Sequence, residues 1–232
     1  MSKFRKIVED IRAELLNVDD AIKANEFATE ILNDLLSHRK NILRVILNKL
    51  SDQEVIIEYE LNNILYRFIY APHLEPLGGY DPNTHTISLR VPSFELLLDD
   101  ELFCDLLRHE LLHYYDNVIL AHPLIRTYKS PDENKREYYN SEAELTTYYR
   151  AMLDYVYKAI SVVLKIYAKY NNFDKNDLIK QSFEELWYNM CNKVTYSFYE
   201  FLDNISDADK MLLKDHLYRA VKAYFNGGRD DR

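Results

Sequence analysis

The pentapeptide His109-Glu110-Leu111-Leu112-His113 carries the clearest chemistry in this chain. On a helix, residues four apart share one face, so both imidazoles can reach a single ion. The glutamate beside the first histidine is placed to take a proton from a water polarised by that ion. Imidazole and carboxylate ligands with an open fourth position suit zinc, which brings the pKa of a bound water to roughly 7. Glu110 would then take the proton during attack on a carbonyl and pass it to a leaving amine. The plain alternative is a pair of structural histidines one turn apart. Context favours the metal. The pentapeptide lies on an amphipathic helix whose apolar face is Leu107, Leu111, Tyr114 and Val118, and a short strand comes shortly before it.

Neighbouring residues could support such a centre. Asp116 is one turn beyond His113 and could accept the distal N–H of a ligand histidine, fixing its tautomer. Its other reading is a solvated helix-surface aspartate. Asp105, one turn before His109, could act in the same way. Cys104 on the same helix reads as a small buried hydrophobe. Trp187 and Cys191 read as core of later helices.

The elements that must position these groups follow from periodicity. Phe4, Ile7, Val8, Ile11 and Leu15, then Phe27, Ile31 and Leu35, recur at helical spacing, and Ile42 to Leu50 closes a helical region over 1–50. The period then changes to two. Residues 55–61 and 64–70 flank Asn62-Asn63 and predict a hairpin, because asparagine tolerates the positive φ that such turns demand. Pro72, Pro76, Gly78, Gly79 and Pro82 predict a loop. Thr86 to Val91 predicts a third strand, stopped by Pro92. Asp99, Asp100 and Glu101 begin the helix of the pentapeptide, which is expected to run to about Leu120. Ser130-Pro131-Asp132-Glu133 predicts a further helix start. Asn171-Asn172 breaks the helical pattern, residues 174–225 supply about two more amphipathic helices, and 227–232 read as a frayed tail.

Composition excludes several functions. Of 232 residues, 29 are Lys or Arg and 38 are Asp or Glu, a net charge of -9. A general nucleic-acid or anionic-membrane binder needs the opposite excess. Two cysteines, Cys104 and Cys191, permit neither a disulfide framework nor a cysteine-rich zinc site. No apolar run reaches the roughly 18 residues of a membrane span. No signal-peptide segment follows Met1, so the expected location is cytoplasmic. Four glycines against 20 tyrosines favour helix over tight turns. The Tyr, Asn, Lys and Ile bias suggests an AT-rich genome, viral or archaeal.

From about Glu54 to Tyr155 the chain resembles the zincin metallopeptidases, and within them the gluzincins with small cores. The resemblance rests on the strands, on Gly78-Gly79-Tyr80 leading to Thr86-Ile87-Ser88-Leu89, on the His-Glu-x-x-His helix and on a later helix with a glutamate. It implies that the last strand before the active helix is an edge strand to which extended substrate adds by β-augmentation. The backbone of Thr86, Ile87, Ser88 and Leu89 would then bind peptide. Metzincins place a third histidine six residues after the second; Ile119 stands there, which excludes that subclass. Gluzincins take a glutamate from a following helix, for which Glu142 and Glu144 are candidates. Helical phase separates them. Tyr138, Leu145, Tyr149, Met152 and Val156 form one stripe, and Glu142 falls within it. A core-facing carboxylate is costly unless paired or bound to a metal, which favours Glu142. Glu144 lies off the stripe, to be solvated or to cap a break at Asn140-Ser141. His122 is a third, weaker candidate, more in keeping with a loop-structural residue. Leu145-Thr146 and Tyr148-Tyr149 replace the Ala-Asn pair usual after the ligand glutamate in small gluzincins. An oxyanion-stabilising tyrosine, if present, is among Tyr80, Tyr139, Tyr148 and Tyr149.

The expectation is an α+β protein, mostly helical. A small zincin-like core with a short antiparallel or mixed sheet over 51–156 sits between helical regions 1–50 and 157–232, packed as one unit. The expected activity is zinc-dependent peptide-bond hydrolysis on a protein or peptide substrate, with no nucleic-acid or membrane partner. His109, His113 and Glu142 would be the ligands and Glu110 the general base. Two rivals remain: a catalytically inactive zincin-like interaction module, and a helical structural protein of a virus or mobile element.

Overall fold

The computed structural model describes residues 18–48, 55–71, 77–91, 100–120, 134–135, 138–139, 141–169, 173–192 and 196–227. The helix expected over Phe4 to Leu15, the Ser130-Pro131 start, His122, the Asn171-Asn172 break and the end of the tail lie outside them. The architecture is α+β, mostly helical with one four-stranded mixed sheet. Among the described residues no helix is long and apolar enough to cross a membrane, and no disulfide joins Cys104 to Cys191.

The chain groups into two compact units, 24–124 and 1–23 with 125–232. The boundary expected near residue 156 falls inside one continuous helix, α3 (Glu142–Tyr167).

The 24–124 unit holds the sheet. Helix α1 (Val18–Asn48) enters it at residue 24, with Ala24, Ala28, Leu32 and Leu35 buried. Strands β1 (Val55–Leu61) and β2 (Ile64–Tyr70) pair antiparallel. Their turn has Asn62 at φ 53° and Asn63 at φ 61°, the left-handed pair that a two-residue hairpin requires. Ile64, Tyr66 and Phe68 alternate into the core, as period two demands. Strand β4 (Thr86–Val91) runs parallel to β2.

Residues 77–81, expected as loop, form a strand, β3 (Leu77–Asp81), antiparallel to β4. Gly78 and Gly79 suggested a bend, but in this strand they are extended residues lacking side chains. The sheet order is β1-β2-β4-β3. The expected substrate strand therefore needs correction. Thr86, Ile87, Ser88 and Leu89 pair with β2 on one side and with β3 on the other. Their backbone groups are spent in two ladders, and the edge beside β4 is β3.

Helix α2 (Asp100–Tyr114) packs on β3 and β4. Phe103, Leu107, Leu111 and Tyr114 are its buried stripe, and Phe103 lies nearly parallel to Phe68 with ring centroids 6.4 Å apart. The α-geometry stops at Tyr114, short of the expected Leu120. Residues Tyr115–Ile119 form a π turn closed by Leu120 N–H donating to Tyr115 O at 3.1 Å.

In the other unit, α3, α4 (Lys175–Cys191), α5 (Tyr196–Asp203) and α6 (Asp207–Phe225) pack through a continuous apolar core. Met152, Val156, Phe183, Phe201, Leu213 and Leu217 are among its buried residues. Local capping fixes the helix starts. Ser141 accepts from Glu144 N at the head of α3, Asp174 accepts from Asn176 N and Asp177 N, and Ser206 accepts from Asp209 N.

Candidate metal centre

His109 and His113 stand on α2, one turn apart, with their Nε2 atoms 3.2 Å apart and ring planes at 89°. Two nitrogens at about 2.0–2.1 Å from one ion in tetrahedral geometry are about 3.3 Å apart. The two rings stand within direct contact of each other, at a spacing that two nitrogen ligands of one ion also adopt. His113 is buried, while His109 keeps partial exposure, so the pair has one closed and one accessible side.

Glu110, between them in sequence, is only 4 % exposed. Its carboxylate lies against the backbone of β3: a Cβ built on Gly78 would fall 2.6 Å from Glu110 Oε1. A buried carboxylate is stable only where donors or a cation meet its charge.

Among the described residues, His109, His113 and Glu144 form a group of side chains that could hold a metal ion. The sequence reading favoured Glu142 and kept Glu144 as an alternative ligand, off the stripe and either solvated or capping a break at Asn140-Ser141. Glu144 is 1 % exposed, whereas the side chain of Glu142, the first residue of α3, lies outside the described residues. The favoured stripe is correct as far as it goes, since Tyr138, Leu145, Tyr149, Met152 and Val156 are all buried. A second buried stripe was missed, made of Glu144, Thr147, Arg150 and Asp154, with Arg150 fully buried. Its signal was present: polar residues recur there every three or four positions, on a helix whose apolar face is already complete.

The other candidates disperse. Asp116 is buried in the π turn, not solvated, and Asp105 is half-buried. Tyr139 and Tyr148 pack with Phe201 in the helical unit, where Tyr148 and Phe201 stack at 4.4 Å. Tyr149 belongs to the same core. Burial, followed by the charges of Glu200 and Glu144, pushes the Tyr139 phenol above its usual range.

Tyr80 is the one candidate on the sheet. Its hydroxyl meets His85 Nδ1 at 2.8 Å and donates to Asn117 Oδ1 at 2.9 Å. His85 holds its side of this contact from a left-handed backbone, φ 52°. Burial is the main cause that pushes the Tyr80 phenol above its usual range, so it stays a neutral donor. The sequence did not single out His85 or Asn117. Asn117 lies in the π turn, whose extra residue per turn cannot be read from α-helical spacing.

No family model, no curated protein and no solved structure matches the chain.

Proposed function

We propose that the protein is a zinc-dependent hydrolase of peptide bonds, with His109, His113 and Glu144 holding the metal and Glu110 as general base. The observation that carries this reading is the donor set. Two imidazoles have Nε2 atoms 3.2 Å apart, and with the buried carboxylate of Glu144 they form a group that could hold a metal ion. This is the nitrogen and oxygen chemistry of an open zinc site. A bound zinc supplies Lewis acidity at the scissile carbonyl.

The remaining steps belong to the chain. Glu110 Oε1, held in a buried position against β3, accepts the proton of the attacking water and returns it to the leaving amine. General acid–base help of this kind contributes typically ~10²–10⁴-fold. Among the described residues β3 is the outermost strand beside β4, and it suits an extended peptide as an added strand, a role moved here from β4. A site of histidines and carboxylate, with no reliance on disulfides, fits work in a reducing cytoplasm.

Metal analysis and a cleavage assay test the reading together. Wild-type protein is expected to bind one equivalent of zinc. Glu144→Ala should lose it, while Glu142→Ala keeps it. Glu110→Gln should retain zinc but lose at least about 100-fold in kcat/KM on an unfolded protein such as labelled casein. Zinc retained in Glu144→Ala and lost in Glu142→Ala would reverse the ligand assignment. Full activity in Glu110→Gln would remove the general base.

A further inference from the structure

We propose that Gly78 is a positioning residue for Glu110: the side chain it lacks is the slot in which the carboxylate rests. This rests on the reading of Glu110 as the proton carrier. A Cβ at Gly78 would stand 2.6 Å from Oε1, 3.0 Å from Cγ and 3.1 Å from Cδ of Glu110. Contacts under 3.0 Å are not tolerated, so either the strand or the carboxylate must move. Next to it, Gly79 provides an internal control, because a Cβ there meets nothing within 4 Å.

The strand is held too firmly to retreat. Gly78 pairs with Leu89 and Tyr80 with Ile87 in the β3–β4 ladder. Tyr80 is two residues beyond Gly78 and so shares its face of the strand. It is buried, packs edge-on to Tyr114 of α2 at 5.9 Å, and donates to Asn117 in the π turn. His85, on the β3–β4 connection, holds the same hydroxyl from another side. The helix that carries Glu110 and the strand that carries Gly78 are thereby latched two residues from the contact. The movable part is the carboxylate, and a methyl at position 78 would drive it out of line. A displacement of about 1 Å in such a group can cost on the order of 10²-fold in rate.

Gly78→Ala and Gly79→Ala decide the matter when compared for zinc content, crystal structure and casein turnover. Gly78→Ala is expected to bind zinc like wild type and to show the Glu110 carboxylate displaced. Its kcat should fall at least about tenfold with KM unchanged. Gly79→Ala should match wild type in zinc content and in the position of the Glu110 carboxylate, since a Cβ there meets nothing within 4 Å. A Gly78→Ala structure with the carboxylate in place, or the same displacement in both variants, overturns the proposal. If Gly78→Ala is too unstable to analyse, adding Glu110→Ala should restore the melting temperature of Glu110→Ala alone; failure to do so overturns it as well. Absence of casein cleavage by zinc-loaded wild type would count against the hydrolase reading. The position of the carboxylate in the Gly78→Ala crystal would still decide the role of Gly78.

Discussion

The 24–124 unit and the helical unit that continues from α3 are built on different principles. From α4 onward, the helical unit follows local rules. Asp174 and Ser206 cap helices, and aliphatic and aromatic residues at helical spacing meet in one core. The sheet unit breaks those rules where α2 meets β3. Glu110, His113 and Asp116 are buried, the helix ends in a π turn, His85 has a left-handed backbone, and glycine stands in a strand. Each departure costs folding free energy, and all lie on one strand–helix junction. Buried polar groups are also present on α3, in Glu144, Thr147, Arg150 and Asp154, so what sets the sheet unit apart is the backbone departures beside its own buried groups.

The sharpest way to break that comparison is to exchange large effects between the regions. Phe183→Ala, in the helical core, should lower unfolding free energy by about 3–5 kcal/mol and leave zinc binding by the folded protein unchanged. His113→Ala should abolish zinc binding while the apo protein keeps its far-ultraviolet circular dichroism. Loss of zinc affinity in folded Phe183→Ala would show that the apolar core of the helical unit also sets the ligand Glu144. A smaller effect belongs to capping. Asp174→Ala removes the acceptor for two N–H groups at the head of α4 and should cost about 1 kcal/mol, read as a lower urea midpoint, with turnover unaltered.

The smallest effect is a pH dependence present in both regions. Burial pushes the phenols of Tyr66 and Tyr80 in the sheet unit, and of Tyr139 in the helical unit, above their usual range. An acid whose pKa is raised on folding holds its proton in the folded state. The stability it contributes is complete below the unfolded value of about 10 and is lost as pH rises from there towards the folded pKa. The urea midpoint should therefore fall above about pH 10, in step with tyrosinate absorbance. Tyr66→Phe should lessen that fall. Among the described residues the buried Tyr66 hydroxyl has no hydrogen-bond partner, so its removal should leave neutral-pH stability unchanged or slightly higher.

Much of the fold was legible in the residues because it depends on local chemistry. Asn62-Asn63 announced a left-handed turn, the alternation after it announced strands, and the apolar stripes of α2 and α3 announced buried faces. Strand β3 was not legible. Its glycines signal a bend under local rules, whereas here Gly78 allows a close approach of Glu110 that exists only once α2 packs on the sheet. Glu144 was misread for a similar reason. One amphipathic stripe was counted, and the helix has two buried faces.

The sequence alone determined that two imidazoles and a glutamate share a helical segment, since the spacing of i and i+4 is a property of the helix itself. It also determined that a hairpin and a strand precede that segment. Only the tertiary structure decided that Glu144 is buried, that β3 lies outside β4 in the described sheet, and that a Cβ at Gly78 would meet Glu110. Those outcomes depend on contacts between residues far apart in the chain, and no local periodicity encodes such distances.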